Sequence, residues 1–170
     1  MLKVGFAKTD ITPRVGVELS GFGPYLHRQS IAVRDRLSAR AMALNDGKQT
    51  VVLLSLDLLM VSREVTERTR KLVAAKYSLP CNVIVHCTHT HSGPAILGIE
   101  GWGEVDVPYC ELLPGRLAET AVEALRSMRE ATASYAEVPC VGIGLNREYD
   151  KDAPPLEEVL QENWRPAKPE

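Results

Sequence analysis

No stretch of the 170-residue sequence is long and apolar enough to form a membrane-spanning helix. The opening segment, Met1 to Lys8, lacks the apolar run and small-residue cleavage site of a signal peptide. The chain from Met1 onward therefore reads as cytoplasmic. A basic excess is missing as well. The formal net charge of −2 argues against a sequence-independent nucleic-acid binder, which needs cations to neutralise phosphates. Charges of both signs are interspersed, so no long block of like charge stands out. Cys81, Cys87, Cys110 and Cys140 fall at irregular intervals and form no C-x-x-C pair, which removes the usual structural zinc pattern. They read as reduced, largely buried thiols. Cys87 stands apart only because it lies inside a histidine cluster. The sequence also has no H-E-x-x-H motif and no internal repeat.

What remains is an ordinary globular composition, 45% hydrophobic and 25% charged, in a length that suits one domain or a piece of a larger one. Residues 2–7 alternate apolar and polar, as a half-buried first strand would. Asp10-Ile11-Thr12-Pro13 turns the chain, and Leu19-Ser20-Gly21-Phe22-Gly23-Pro24 is too rich in Gly and Pro for a helix or a central strand. Residues 37–45 and 50–57 are apolar runs joined by Asn45-Asp46-Gly47-Lys48. Asp-Gly supplies the positive backbone angles of a tight turn, so the pair predicts a β-hairpin. The second run is nearly continuous in apolar residues, as in a strand covered on both faces.

Ser62 is placed to cap a helix reaching about Tyr77, with Val65, Thr69, Leu72 and Val73 on one face. Glu64 with Arg68 and Glu67 with Lys71 have ion-pair spacing on the wet face. Residues 81–86 form a short strand, parallel to the one before the helix because a β-α-β crossover connects them. A glycine-rich loop over 93–103 leads to a helical stretch of about 107–129, where Leu117, Ala121, Ala124, Leu125 and Met128 keep helical spacing. Pro114-Gly115 is expected to kink or split it. A last strand is predicted over about 133–144, running into Asn146-Arg147 and leaving an exposed edge open to self-association. The fold class is thus α/β. A mixed sheet contains a β-hairpin and a β-α-β unit, helices pack on it, and the whole is part of a larger domain. That domain is expected to span 1–150, with 151–170 a Pro-rich acidic tail.

Three of the four histidines, His86, His89 and His91, fall within six residues, in a string Thr88-His89-Thr90-His91-Ser92-Gly93-Pro94 at the carboxyl end of a strand. That edge is where open α/β sheets bind ligands. On an extended segment, residues i and i+2 point to one side, so His89 and His91 could converge on one metal ion or substrate. Satisfied, half-buried histidines at a strand end are the competing reading. His86 reads as structural, and His27, in a loop, is a poor third ligand. Asp57 ends the central strand on the same edge. Its carboxylate could orient a ligating histidine by accepting its second ring N–H, or could serve only as a turn residue. Arg147 could steady an oxyanion or make a surface ion pair. Arg40, in mid-strand, reads as a structural pair or an edge residue. A catalytic zinc normally has three protein ligands and a water, and spacing does not supply that set here.

The motifs resemble the N-terminal part of the neutral/alkaline non-lysosomal ceramidase family. The resemblance runs through Gly5 to Pro13, Leu19 to Gly23, Leu37 to Ala41, Ser55 to Leu58, the string Thr88 to Pro94, and Asn146-Arg147. It implies a Zn2+-dependent hydrolase that uses metal-activated water to cleave the amide of an N-acylsphingosine, a lipid amide substrate. It assigns His89 to the zinc, His91 to substrate and proton transfer, and Arg147 to the substrate pocket, bordered by the Gly21-Phe22 loop. Secreted family members are compatible with it. It covers nearly all of this chain but only part of the family's catalytic domain. The further histidine, glutamate and tyrosine of the family's zinc site find no counterpart here. Two readings follow: a ceramidase-type amidase, or a remnant or binding domain of the same fold without the full metal shell.

Overall fold

The computed structural model describes residues 1–22 and 27–139. The chain divides into two units, Met1–Thr132 and Ala133–Glu170. Residues 133–139 of the second carry neither helix nor strand, so the last strand expected from 133 does not begin there. The rest of that expected strand, the boundary at 150, the tail, Cys140 and Arg147 lie outside the described residues.

The first unit is built on a five-stranded mixed sheet in the order β4-β3-β2-β1-β5. Strand β1 (Lys3–Asp10) pairs antiparallel with β2 (Ser38–Asn45), which pairs antiparallel with β3 (Thr50–Leu56). The β2–β3 connection is the expected hairpin. Gly47 has φ +94°, and the Asp46 carboxylate accepts from the Lys48 and Gln49 amides. Helix α1 (Arg63–Lys76) then crosses to β4 (Asn82–Cys87), parallel to β3 as the β-α-β logic requires. Ser62 caps α1, its hydroxyl accepting from the Val65 amide, a contact that contributes about 1 kcal/mol. Val65, Thr69 and Val73 are buried. Leu72, expected on the same face, is 37% exposed. Glu67 bonds Arg70 at 2.8 Å rather than pairing with Lys71.

Helix α2 (Val107–Arg126) is one continuous element despite Pro114. Proline forfeits one helical hydrogen bond and crowds the preceding turn at a cost of about 3 kcal/mol. Pro114 itself is fully buried, and Leu113, Leu117, Ala118, Ala121, Val122, Ala124 and Leu125 lie beside it in the core, which offsets the break. Two exposed bridges, Arg68–Glu111 at 2.7 Å and Lys76–Glu119 at 3.2 Å, are equally spaced on both helices and set α1 and α2 side by side in the same direction.

One sheet face is dry. Ala39, Ala41, Ala43, Val52, Leu54, Leu56 and Val83 alternate inward along β2, β3 and β4 to meet the helices. The other face carries a cross-strand row, Phe6–Met42–Leu53–Ile84, whose ends are 66% and 48% exposed. Strand β3 is therefore covered fully on one face only, contrary to the reading of its apolar run. The terminal strand of the sheet is β5 (Arg129–Glu130), only two residues long and paired with Lys3 and Val4. Much of β1's outer edge has no strand partner among the described residues.

Gly5 marks the closest approach of β1 to α2. A Cβ there would lie 2.0 Å from the Ala124 carbonyl oxygen, and backbone cannot yield cheaply. Gly5→Ala is expected to destabilise the domain by about 1–3 kcal/mol, read as a lowered midpoint in denaturant. At the far end of β1, the Thr12 hydroxyl and amide, joined by Arg36, hold the Asp10 carboxyl down to about 2 from its ordinary 3.8. A carboxylate depressed in the folded state stabilises above its unfolded value, and that gain fades as pH falls through the folded value. Acid titration of the unfolding midpoint should show an Asp10-dependent loss between pH 3.8 and about 2, reduced in Asp10→Asn.

Candidate active site at the carboxyl edge of β3 and β4

The parallel pairing of β3 and β4 continues past both strands. The Thr88 amide bonds the Leu56 carbonyl at 2.9 Å, and the His89 amide bonds the Leu58 carbonyl at 3.0 Å. His89 then enters the left-handed region, with φ +63°. That conformation costs a residue with a Cβ about 1 kcal/mol and is found mostly where surrounding contacts enforce it. Here the enforcing contacts are visible. The His89 ring places Nδ1 at 2.9 Å from the Leu59 carbonyl oxygen. A carbonyl can only accept, so Nδ1 carries a proton, and in the neutral imidazole the lone pair is then on Nε2.

The two rings do converge. The His89 and His91 centroids are 5.0 Å apart, at 67° to one another. The reason differs from the extended-segment argument: the left-handed turn at His89 breaks the strand's alternation, and the contact survives through the turn.

A second layer forms from the loop expected to border the site. The Leu19 amide bonds the Arg28 carbonyl at 2.8 Å, the Ser20 amide bonds the Gly93 carbonyl at 3.1 Å, and the Ala95 amide bonds the Glu18 carbonyl at 2.8 Å. Segments 18–20, 28–30 and 93–95 are thereby zipped together. The Glu18 carboxylate, itself buried, accepts from the Glu104 amide at 2.8 Å and lies 3.5 Å from His27 Nδ1. Gly21 runs against His91 so closely that a Cβ would sit 2.7 Å from the His91 Cα, Cβ and Cγ, and its φ of +121° also favours glycine. Phe22 stands edge-on to the His91 ring, with centroids 5.4 Å apart.

The structure thus brings together His89, His91, Gly21 and Phe22. Asp57 does not orient His89. Its carboxylate takes the Arg40 guanidinium at 2.9 Å through both oxygens and the Ser38 amide at 3.0 Å, and the His89 ring has Leu59 as its partner instead. Arg40 is accordingly half of a structural pair. His86 sits on β4 opposite Ser55, and His27 lies beside Glu18; neither joins the pair. Burial pushes the Cys87 thiol up to about 11, so it stays protonated and inert at neutral pH. No group of three or more His, Cys, Asp or Glu residues able to hold a metal occurs among the described residues. Sequence reasoning missed Arg28 and the two carbonyls after β3. A lone loop arginine and two main-chain oxygens leave no periodic signal.

A histidine pair on a parallel-strand edge, one ring anchored through Nδ1 to a carbonyl and the other walled by a glycine loop, makes this edge the candidate functional site of an α/β scaffold. Residues 2–101 match the model of the family described as neutral/alkaline non-lysosomal ceramidase, N-terminal, and the chain belongs to that family. Its fold is similar to a crystal structure of neutral ceramidase from Pseudomonas aeruginosa, with a TM-score of 0.67 and 22% identity over 75% of this chain. A ceramidase complexed with C2 is similar at a TM-score of 0.68, also with 22% identity over 75% of this chain. The chain spans 22% of the length of either solved chain.

Gly21→Ala tests the packing of the loop. Two-dimensional NMR should show His91 and Phe22 resonances displaced while core methyls such as those of Leu54 stay in place; unchanged site resonances would refute the contact.

Proposed function

We propose that this chain contributes the histidine half of a zinc-dependent amidohydrolase site acting on a lipid amide of the N-acylsphingosine class. The observation that carries the reading is the His89 ring. Its Nδ1–H is spent on the Leu59 carbonyl and its strained backbone is held by the Leu58 carbonyl, which leaves Nε2 free as a ligand atom. Carbonyl-anchored imidazoles of this kind are the usual form of a metal-binding histidine. The residues present fit a zinc ion in kind, with His89 as the one ligand that can be named. A bound zinc ion supplies Lewis acidity for amide hydrolysis.

The chain's own residues do the rest. His91 receives no hydrogen bond on its ring from the described residues and lies 5.0 Å from the His89 ring, within reach of a substrate held there. In that position it orients the amide and moves a proton to the leaving amine. Phe22 gives the site an apolar wall suited to a lipid chain. Arg147, which the family resemblance assigns to the substrate pocket, lies outside the described residues.

A second reading rests on the absence of a three-residue metal cluster among the described residues: a binding or remnant domain of the same fold that holds no ion. In either case the outer edge of β1, which beyond β5 has no strand partner among the described residues, offers a route to self-association by strand addition.

Metal content separates the two. Purified protein is expected to carry stoichiometric zinc by mass spectrometry of the metal, and His89→Ala is expected to lose it while keeping its circular dichroism. Zinc that is absent, or indifferent to His89→Ala, would sink the amidohydrolase reading.

A further inference from the structure

The Arg28 guanidinium occupies an unusual place between the two segments that meet at the site. Its Nη2 donates to the Ser20 carbonyl at 3.2 Å and to the His91 carbonyl at 3.2 Å. Its Cζ lies 4.5 Å from the centroid of the Phe22 ring. Phe22 in turn meets the His91 ring edge-on. One half-buried side chain therefore touches the glycine loop, the histidine string and the aromatic wall at once.

We propose that Arg28 is a positioning residue for His91: it clamps the glycine loop onto the histidine string and so fixes both the His91 ring and the Phe22 wall. The proposal refines the amidohydrolase reading of the same site and takes His91 as the group that meets substrate.

Three features distinguish this from a surface arginine that happens to lie nearby. Arg28 forms no ion pair with a carboxylate among the described residues, although the Glu18 carboxylate is close by in the loop, 3.5 Å from His27 Nδ1. Its donors go to two carbonyls more than sixty residues apart in sequence, so the contact joins elements instead of decorating one. Finally, its planar face lies over an aromatic ring, which a lysine ammonium cannot reproduce while also reaching both carbonyls. His89 does not depend on it, because the Leu58 and Leu59 carbonyls hold that residue from the other side. Loss of Arg28 should then disturb His91 and Phe22 and spare the metal ligand.

The test uses the full chain with Arg28→Ala and Arg28→Lys. In the wild type, NMR should show nuclear Overhauser contacts between the Phe22 and His91 rings. Arg28→Ala should abolish them while amide dispersion elsewhere is kept, and Arg28→Lys should retain them only in part. Added guanidinium should restore part of the Arg28→Ala loss, as a cavity of the right shape would allow. Zinc content should be equal in all three proteins. With a short-chain N-acylsphingosine substrate, Arg28→Ala is expected to lower kcat by about tenfold to a hundredfold, the cost of misplacing a reacting group by about an ångström, with a smaller change in KM. Ring contacts that persist in Arg28→Ala overturn the proposal. A kcat unchanged in an active protein overturns it equally. A wild type that neither binds zinc nor turns over would sink the amidohydrolase reading alone, and the ring contacts would still decide whether Arg28 positions His91.

Discussion

Two neighbouring carbonyls, those of Leu58 and Leu59, set the geometry of the whole candidate site. The first takes the His89 amide and the second takes its ring. Together they hold a residue with a Cβ in a left-handed conformation that it would otherwise avoid. Both leucine side chains are buried, and the Asp57 and Leu58 amides bond the Ser38 and Leu56 carbonyls, which together fix the turn after β3 in place. The parallel β3–β4 pair then delivers the histidine string to that turn in register. Strand order, turn and imidazole tautomer are thus one linked arrangement: sheet pairing positions the carbonyls, and the carbonyls position the ring.

Around that anchor the molecule is divided sharply. The dry face of the sheet is packed by two helices that run side by side, and it needs small residues on β2 and at Gly5 so that α2 can approach closely. The other face keeps a half-exposed apolar row. The site sits at neither face but on the carboxyl edge, where three loop segments are zipped by main-chain hydrogen bonds. A loop fastened in this way is closer to a scaffold than to a free connection, and it holds Gly21 and Phe22 against the His91 ring. The chain belongs to the ceramidase family, and its scaffold is similar in fold to solved ceramidases.

Much of the frame was legible because it depends on local signals. Asp46-Gly47 announced the hairpin, Ser62 announced the start of α1, and the spacing of Leu117, Ala121 and Leu125 announced the buried side of α2. Pro114 misled for an instructive reason: propensity predicts a break, yet burial along the rest of the helix face outweighs one lost hydrogen bond. The apolar run of β3 also misled. Hydrophobicity records the capacity to be covered, and only the placement of the helices says which face is covered here.

The same division holds at the site. The sequence by itself determined the histidine string, its place at a strand's carboxyl end, and the glycine loop that a family resemblance set beside it. These are properties of residue type and order. Tertiary structure alone decided which partners those residues have. Asp57 was a fair candidate to orient His89, but the antiparallel register puts Arg40 and Ser38 against it first. The orienting group is instead the main-chain oxygen of Leu59, and the clamp on His91 is Arg28. Neither could be read from the chain, because a backbone carbonyl has no residue code and a loop arginine has no period. Their roles exist only once distant segments have been brought within hydrogen-bonding distance.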